Sequence, residues 1–524
     1  MLDIKIVNGK IIDGTGSPYF FGEIGIKDEK IVEVAYKVTQ DAKITIDASG
    51  KTIAPGFIDA HSHSDFPLLI NKKAESKIRM GVTTEVIGQC GNSAAPKTPQ
   101  MKDFFGYSLE DIGVSFKSMK DYLKVLESKQ VAVNVIPLVG HGNIRRIVMG
   151  ESARKPSDEE MIKMKDLLAQ SLEDGAYGMS TGLIYPPGCY SETSELVELS
   201  HTLSQYNAMY VTHMRNEESQ LLKSINEVLT IAKEANVAVH ISHFKSCNEE
   251  NWGLVKEGIK LLENAREQNI DVTADQYPYI ASSTSLKTLI PQWAHDGGVT
   301  ELRKRVLDND LREKIKSEII DHYGKQSKLS CVMVSSCQKQ QNKKYEGMNL
   351  VEIAEMENKE PIDACLDLLL DEDFSPGMVR FSMSEDDVKA VMQHYLVMIG
   401  SDASCMASEG VLSQGKPHPR AYGTFARVIG KYSLKEKIMP LEKAIFKMTG
   451  FPATRFMLQD RGLLKENMYA DITIFDEKTI IDEATFKDPH NFASGIEYVI
   501  VNGQIVIEKE KQHEKYPGKV LRRR

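Results

Sequence analysis

Eight short apolar runs, each turning polar at its C-terminal end, limit what this chain can fold into more than any other feature. They are GFIDAHSH, VTTEVIGQCG, VAVNVIPLVGHG, AYGMSTGL, MYVTHMRN, VAVHISHFK, DVTADQYPY and VMIGSDAS. Longer segments with helical spacing separate them, which predicts parallel strands joined by crossover helices. Eight such units favour an α/β fold of the closed (β/α)8 TIM-type barrel class over an open sheet. Ligands of such barrels sit at the C-terminal face, and the unusual side chains of this chain fall there.

The spacing breaks after the seventh run. Residues 281–395 intervene before VMIGSDAS, far more than one helix and its loops require, and are read as an inserted α/β lid subdomain. Its helical pieces LRKRVLDNDLREKIKSEIIDHYG and NLVEIAEMENKEPIDACLDLLLDED flank a strand-like LSCVMVSSC. The two ends of the chain resemble one another: IKIVNGKIID and YVIVNGQIVIE each place Asn-Gly between β-branched runs and read as tight hairpins. Neither end can form a sheet domain alone, so residues 1–55 and 462–524 are expected to build one small β-sandwich domain. Residues 56–280 and 396–461 are left for the barrel.

Composition serves mainly to exclude. A formal net charge of -9 with scattered lysine and arginine lacks the footprint of a nucleic-acid binder. No apolar run approaches a membrane span, and the start MLDIKIVNGKIIDG carries charges where a secretory signal needs an apolar core. Seven cysteines without paired spacing point to free thiols in a reducing compartment. The expectation is a cytoplasmic enzyme acting on a small molecule, a monomer or small homo-oligomer without nucleic-acid or membrane partners.

The chemistry starts at His61-Ser62-His63, where alternation turns both imidazoles to one face and lets them reach one metal ion. Single histidines recur at the ends of the fifth and sixth runs, His213 and His243, and a barrel brings these ends around a shared centre. His240 is out of phase with His243 and is expected to face away as a structural histidine. Asp402 ends the eighth run, where a carboxylate can face a metal and move the protons of its water.

The succession GFIDAHSH, GVTTEVIGQCG, SHFK, GSDAS, HPRAYGTF and ADITIFD resembles the amidohydrolase superfamily, and more closely its D-aminoacylase branch, the N-acyl-D-amino-acid deacylases. The resemblance spans nearly the whole chain. It implies that Cys90 ligates the metal where other binuclear members use a carboxylated lysine. A thiolate is a soft anionic ligand suited to zinc. It also implies one zinc held tightly by Cys90, His213 and His243, with His61 and His63 serving a weaker second site. The implied reaction is hydrolysis of an N-acyl-D-amino acid, with Asp402 as general base and then acid.

For substrate binding, alternation aims Lys245 inward two residues after His243, and the planar fork of Arg420 in HPRAYGTF suits a carboxylate. Tyr277 and Ser283 add hydroxyl donors, although the residues leave open whether Tyr277 or Tyr279 points inward. The resemblance assigns this group to the substrate α-carboxylate, and Lys245 also to its side-chain end. The loop SCMASEGVLSQGKP is longer than the resemblance predicts and is expected to bring Cys405, Glu409 and Lys416 to the mouth. His141 is expected at the same face, touching substrate or supporting the site through a hydrogen bond. The rival readings are a cyclic amidase of hydantoinase or dihydroorotase type, against which Cys90 argues, and a silent scaffold, against which the complete ligand set argues.

Overall fold

In the computed structural model, which describes residues 1–98, 103–104 and 107–523, the eight apolar runs form eight parallel strands. They are β1 (Phe57–Asp59), β2 (Val82–Ile87), β3 (Asn134–Pro137, resumed at Val139–Gly140), β4 (Gly178–Gly182), β5 (Met209–His213), β6 (Ala238–Ile241), β7 (Val272–Gln276) and β8 (Val397–Ile399). Each pairs in parallel with the next. The ring closes between β8 and β1, where Ala60 N donates to Ile399 O at 3.4 Å and Ser62 bridges Ala403. The barrel is therefore complete and its interior is packed by Val86, Ile136, Met209, Val211 and Met398.

The crossover helices follow from amphipathic spacing. In Leu221–Ala235 the buried residues Leu221, Ile225, Val228, Ile231, Ala232 and Ala235 recur at three and four, which lays one apolar stripe against the barrel. Helix Asp158–Glu173 starts where Ser157 and Glu160 form a reciprocal capping box, satisfying two donors that the first turn leaves free. Among the described residues no helix is long and apolar enough to cross a membrane.

Both chain ends meet in one nine-stranded sheet, joined where Thr52–Pro55 pairs antiparallel with Ile472–Phe475. Strand Leu2–Ile11 is shared between its two wings: its first half pairs with Ala42–Asp47 and its second half with Thr52–Pro55. An isoleucine-rich core that includes Ile6, Ile24, Ile46, Ile472 and Ile500 holds it together. One expectation fails here. Asn8-Gly9 is not a hairpin turn but a bulge inside a continuous strand, with Asn8 at φ 59° and the register slipping between Ile6 and Gly9. Asn-Gly permits a positive φ in a bulge as readily as in a turn, and the partner strand Phe20–Lys27 decides between them. The second pair, Asn502-Gly503, does make a two-residue hairpin between Ile496–Val501 and Gln504–Glu508.

Beyond β7 the chain forms a three-stranded antiparallel sheet of Ala281–Ser285, Gly377–Phe381 and Val332–Ser336. Helices Asn309–Tyr323, Leu350–Glu357 and Pro361–Asp371 pack on it around a core of their own, including Leu286, Val332, Leu350, Leu366 and Leu369. Helix Glu385–Gln393 then packs on Leu254–Glu267 and on β8, returning the chain to the barrel.

Candidate active site

Three residues at the strand ends adopt the left-handed backbone that side chains other than glycine rarely take: Cys90 at φ 52°, His243 at φ 37° and Asp402 at φ 51°. Such conformations cost about 1–3 kcal/mol each and persist where surrounding structure over-determines them. At each position the chain curls off the end of a strand and aims the side chain inward. The curl at Cys90 needs its glycine neighbours. A Cβ on Gly88 would lie 2.2 Å from Leu138 O, and one on Gly91 would lie 2.7 Å from Gly182 N.

These turns gather one cluster. The Cys90 sulfur lies 3.4 Å from His61 Nε2 and 3.4 Å from His243 Nε2. Asp402 Oδ1 lies 3.3 Å from His61 Nε2 and 3.1 Å from His63 Nε2. His213 packs its ring against His243 with centroids 4.3 Å apart, and it interacts with the Cys90 sulfur as well. His213 Nε2 also stands 3.4 Å from Glu217 Oε2, a loose contact that leaves the ring without a well-formed bond to an oxygen. Two overlapping donor sets result, His61, Cys90, His243 and Asp402, and His213, Glu217 and His243.

Carboxylates behind the imidazoles orient them. Asp275, an interior residue of β7, meets His61 Nδ1 at 3.2 Å through Oδ2 and accepts from His243 N at 2.9 Å through Oδ1. Glu217 meets His243 Nδ1 at 3.0 Å. Both Nδ1 atoms thus face a carboxylate, with Lys245 Nζ also 2.9 Å from that of His243, and both Nε2 atoms face the sulfur. His240 does not face away as expected. Its Nε2 lies 2.9 Å from the same Asp275 oxygen and its Nδ1 2.8 Å from Thr273 Oγ1, so it braces the carboxylate that orients His61. The strand pleat alone does not set its direction, because His243 sits past the end of β6 on a curled backbone.

The electrostatics match a cation-binding cluster. Burial pushes the Cys90 thiol up, but the His61 and His243 charges outweigh it and hold the thiol well below its ordinary value. Burial likewise works against ionised Asp402, and Arg420 with the histidines overcomes it, holding the carboxyl well below the usual carboxylate range. Burial disfavours a charged His243, yet Glu217, Asp402 and Cys90 raise it to about 8. An anionic sulfur and two carboxylates in one buried cluster need positive charge among them. Protons on the imidazoles supply it, and a metal cation on the same atoms would supply it instead.

The cluster opens into a cavity of about 1670 Å³ between barrel and lid, lined by His63, Cys90, His213, His243 and Asp402 with His61 behind them. Lys245, Tyr277, Ser283 and Arg420 all line it. Lys245 is not a free cation: its Nζ lies 2.7 Å from both oxygens of Glu217. Arg420 Nη1 lies 2.6 Å from Asp402 Oδ2, its Nη2 donates to Ser283 O at 3.2 Å, and its guanidinium stacks 4.4 Å over Tyr277. Tyr277 is the inward member of its pair, whereas Tyr279 turns to Asp482 and lies under Arg427.

Three loop expectations are corrected. Cys405 is buried behind the site, its amide donating to Ser64 Oγ at 2.8 Å, and neither Glu409 nor Lys416 lines the cavity. Met406 and Gln414 line it in their place, because the loop is drawn back through Met406 N to Ser76 Oγ and through Lys416 N to Ser335 O of the lid. His141 lies outside the cavity lining, held 2.9 Å from Glu195, which also pairs with Arg145.

Sequence reasoning missed four residues. Glu217 stands four residues after His213 in THMRNEES, and Asp275 is a lone acid inside the apolar run VTADQ, so both had a readable signal. Tyr185, edge-on to His213 at 5.1 Å, and Arg380, 3.0 Å from Glu218 of the barrel, had none.

A closed parallel barrel that collects a thiolate, four imidazoles and an acid at the C-terminal mouth defines an enzyme of the metal-assisted hydrolase class. The chain belongs to the amidohydrolase family, whose sequence profile matches residues 45–507. It is 34% identical over 525 residues to a D-aminoacylase of Alcaligenes xylosoxydans xylosoxydans, covering 99% of this chain and 98% of that protein. It is 33% identical over 522 residues to an N-acyl-D-glutamate deacylase of the same organism, covering 100% of this chain and 97% of that protein. Its fold matches the crystal structure of the N-acyl-D-glutamate deacylase of Bordetella bronchiseptica, complexed with zinc and a phosphonate mimic of the tetrahedral intermediate. The TM-score is 0.85 at 32% identity, over the full length of both chains.

Proposed function

We infer that this chain is a zinc-dependent deacylase that hydrolyses the amide bond of N-acyl-D-amino acids, releasing a carboxylate and the free D-amino acid. The observation that carries the reading is the convergence of the Cys90 sulfur, His243 and His213 opposite Asp402. Full-length likeness to D-aminoacylase and to N-acyl-D-glutamate deacylase supports the linear D-substrate.

Cys90, His213 and His243 would hold one zinc tightly, and His61, His63 and Asp402 would serve a weaker second position. When bound, zinc supplies a Lewis acid that polarises a carbonyl and acidifies water. Asp402 takes the proton from the water whose oxygen adds to the amide carbon. It then returns that proton to the amine nitrogen as the C–N bond breaks. Lys245 with Glu217, Arg420, Tyr277 and Ser283 orient the substrate through its α-carboxylate. The net charge of -9 with scattered lysine and arginine supports a small-molecule substrate over a nucleic acid, and the reading remains that of a cytoplasmic enzyme, a monomer or small homo-oligomer.

The test is a panel of N-acetyl-D and N-acetyl-L amino acids with zinc content measured by emission spectroscopy. The D series turns over faster and zinc is stoichiometric. Equal or better turnover of the L series overturns the reading. Cys90→Ala loses the zinc, whereas Asp402→Asn keeps zinc and lowers kcat by about a thousandfold.

A further inference from the structure

A single buried ammonium grips the chain on both sides of Asp402. Lys77 stands on the short helix Glu75–Ile78, is fully buried and does not line the cavity. Its Nζ donates to Ser401 Oγ at 2.6 Å and to Ala403 O at 2.8 Å, the residues before and after Asp402. A third bond goes to Asp59 Oδ2 at 2.6 Å. These three short bonds use its three protons, and Ser62 Oγ stands farther off at 3.4 Å. Burial disfavours the charge, and Asp59 and Glu85 more than restore it, which holds the ammonium above its ordinary value.

The surrounding bonds close the same bracket. Ser401 Oγ donates to Asp59 Oδ2 at 2.6 Å and accepts from Ala403 N at 3.2 Å, so the backbone turn at Asp402 is ringed by hydrogen bonds. Asp59 Oδ1 accepts from Ser401 N at 2.8 Å and from His61 N at 3.2 Å, and Asp402 N donates to His61 O at 2.8 Å. The strand side leaves no slack either, since a Cβ on Gly400 would lie 2.6 Å from His61 Cβ. Asp402 holds φ at 51°, a conformation that persists only where its surroundings over-determine it. Lys77, Ser401 and Asp59 supply that over-determination.

The bracket acts on the proton-moving residue and not on the tight metal position. All three ammonium bonds go to β1 and the segment after β8, whereas Cys90, His213 and His243 end β2, β5 and β6. A turn of the Asp402 backbone would swing the carboxylate away from His63 and Arg420, which it meets only through its side chain. Misplacing a reacting group by about 1 Å costs about a hundredfold in rate.

We propose that Lys77 is a positioning residue for the proton step: through Ser401 and Ala403 it fixes the backbone of Asp402, and so the place from which the carboxylate hands its proton to the leaving amine. The inference rests on the deacylase reading.

The experiment pairs two substrates of the zinc enzyme that differ in what their leaving group needs. N-acetyl-D-methionine expels an amine, which must gain a proton as it leaves. Its S-acetyl analogue, with sulfur in place of the amide nitrogen, expels a thiolate whose conjugate acid has a pKa of about 8.5, and it departs without one. Ser401→Ala removes one arm of the bracket and keeps the Lys77–Asp59 pair. In it kcat falls on the amide by about tenfold more than on the thioester, and zinc stays stoichiometric. Lys77→Met moves the ratio in the same direction. A merely structural loss lowers both substrates by one factor, because a ratio within one protein is insensitive to the fraction folded. Equal factors on the two substrates, or loss of the zinc, overturn the proposal. Asp402→Asn is the control for the reading itself: a ratio unchanged there, or no turnover of any N-acyl-D-amino acid, shows that the reading fails. Crystal structures of the zinc protein and of Ser401→Ala then decide the bracket. A displaced Asp402 carboxylate supports it, and an unmoved one overturns it.

Discussion

Arg420 sets its guanidinium 2.6 Å from Oδ2 of Asp402, while His61 and His63 crowd the other oxygen of the same carboxylate. The acid that moves the protons in the proposed reaction is thus held ionised by a residue of its own chain.

Removing that cation has a predictable sign. Burial alone raises the Asp402 pKa, and Arg420 is the largest influence lowering it. Arg420→Gln therefore raises it, and the acid limb of the kcat–pH profile moves to higher pH because the ionised form is the base. We expect kcat/KM to fall by about a hundredfold, since the proton-transfer group is detuned and the substrate carboxylate loses a cation that anchors it. An acid limb that stays in place would remove Arg420 from the proton step.

Lys77 is fully buried and ties β1 to the segment after β8 behind the cluster. Its Nζ lies 2.6 Å from Asp59 Oδ2, 2.6 Å from Ser401 Oγ and 2.8 Å from Ala403 O, with Glu85 at 3.6 Å. Asp59 Oδ1 in turn accepts from His61 N and Ser401 N. Lys77→Met strands two buried carboxylates without a cation, which costs about 3–5 kcal/mol. Urea unfolding measures it, and a loss under about 1 kcal/mol contradicts the prediction.

Lys447 gives a pH signature remote from the cluster. Burial lowers its pKa to about 7, although its Nζ bonds His394 O and Val397 O. Between about 7 and 10.5 the unfolded chain binds a proton that the folded chain does not, so stability rises with pH across that window. Below pH 7 both states are protonated and the full penalty remains. In thermal melts from pH 6.5 to 10, the unaltered protein should gain stability relative to Lys447→Met as pH rises. Parallel curves would show that the two carbonyl bonds keep the ammonium charged.

How far the site was legible depends on how local its signals are. His61, His63, His213, His243 and Asp402 could be picked out because each ends an apolar run, and the run and its end lie within a few residues, whereas Cys90 stood out only through the family resemblance. Tyr277 and Tyr279 could not be told apart, because β7 ends at Gln276 and the alternation lapses just before them. The same lapse explains Lys245, which reaches the cavity past a curled His243 and not by strand alternation.

The sequence by itself determined the barrel, since periodicity and polar strand ends need only short-range order. It also determined the residue types at the mouth, and through them the family. Only the tertiary structure decided which charge answers which. Asp275 stands behind His61 across 214 residues, and Glu217 neutralises Lys245 across 28. It also decided that Asn8-Gly9 bulges where Asn502-Gly503 turns. The physical reason is common to all of these. An ion pair or a strand register is a property of distance in space, and spacing along the chain does not carry it until the barrel closes.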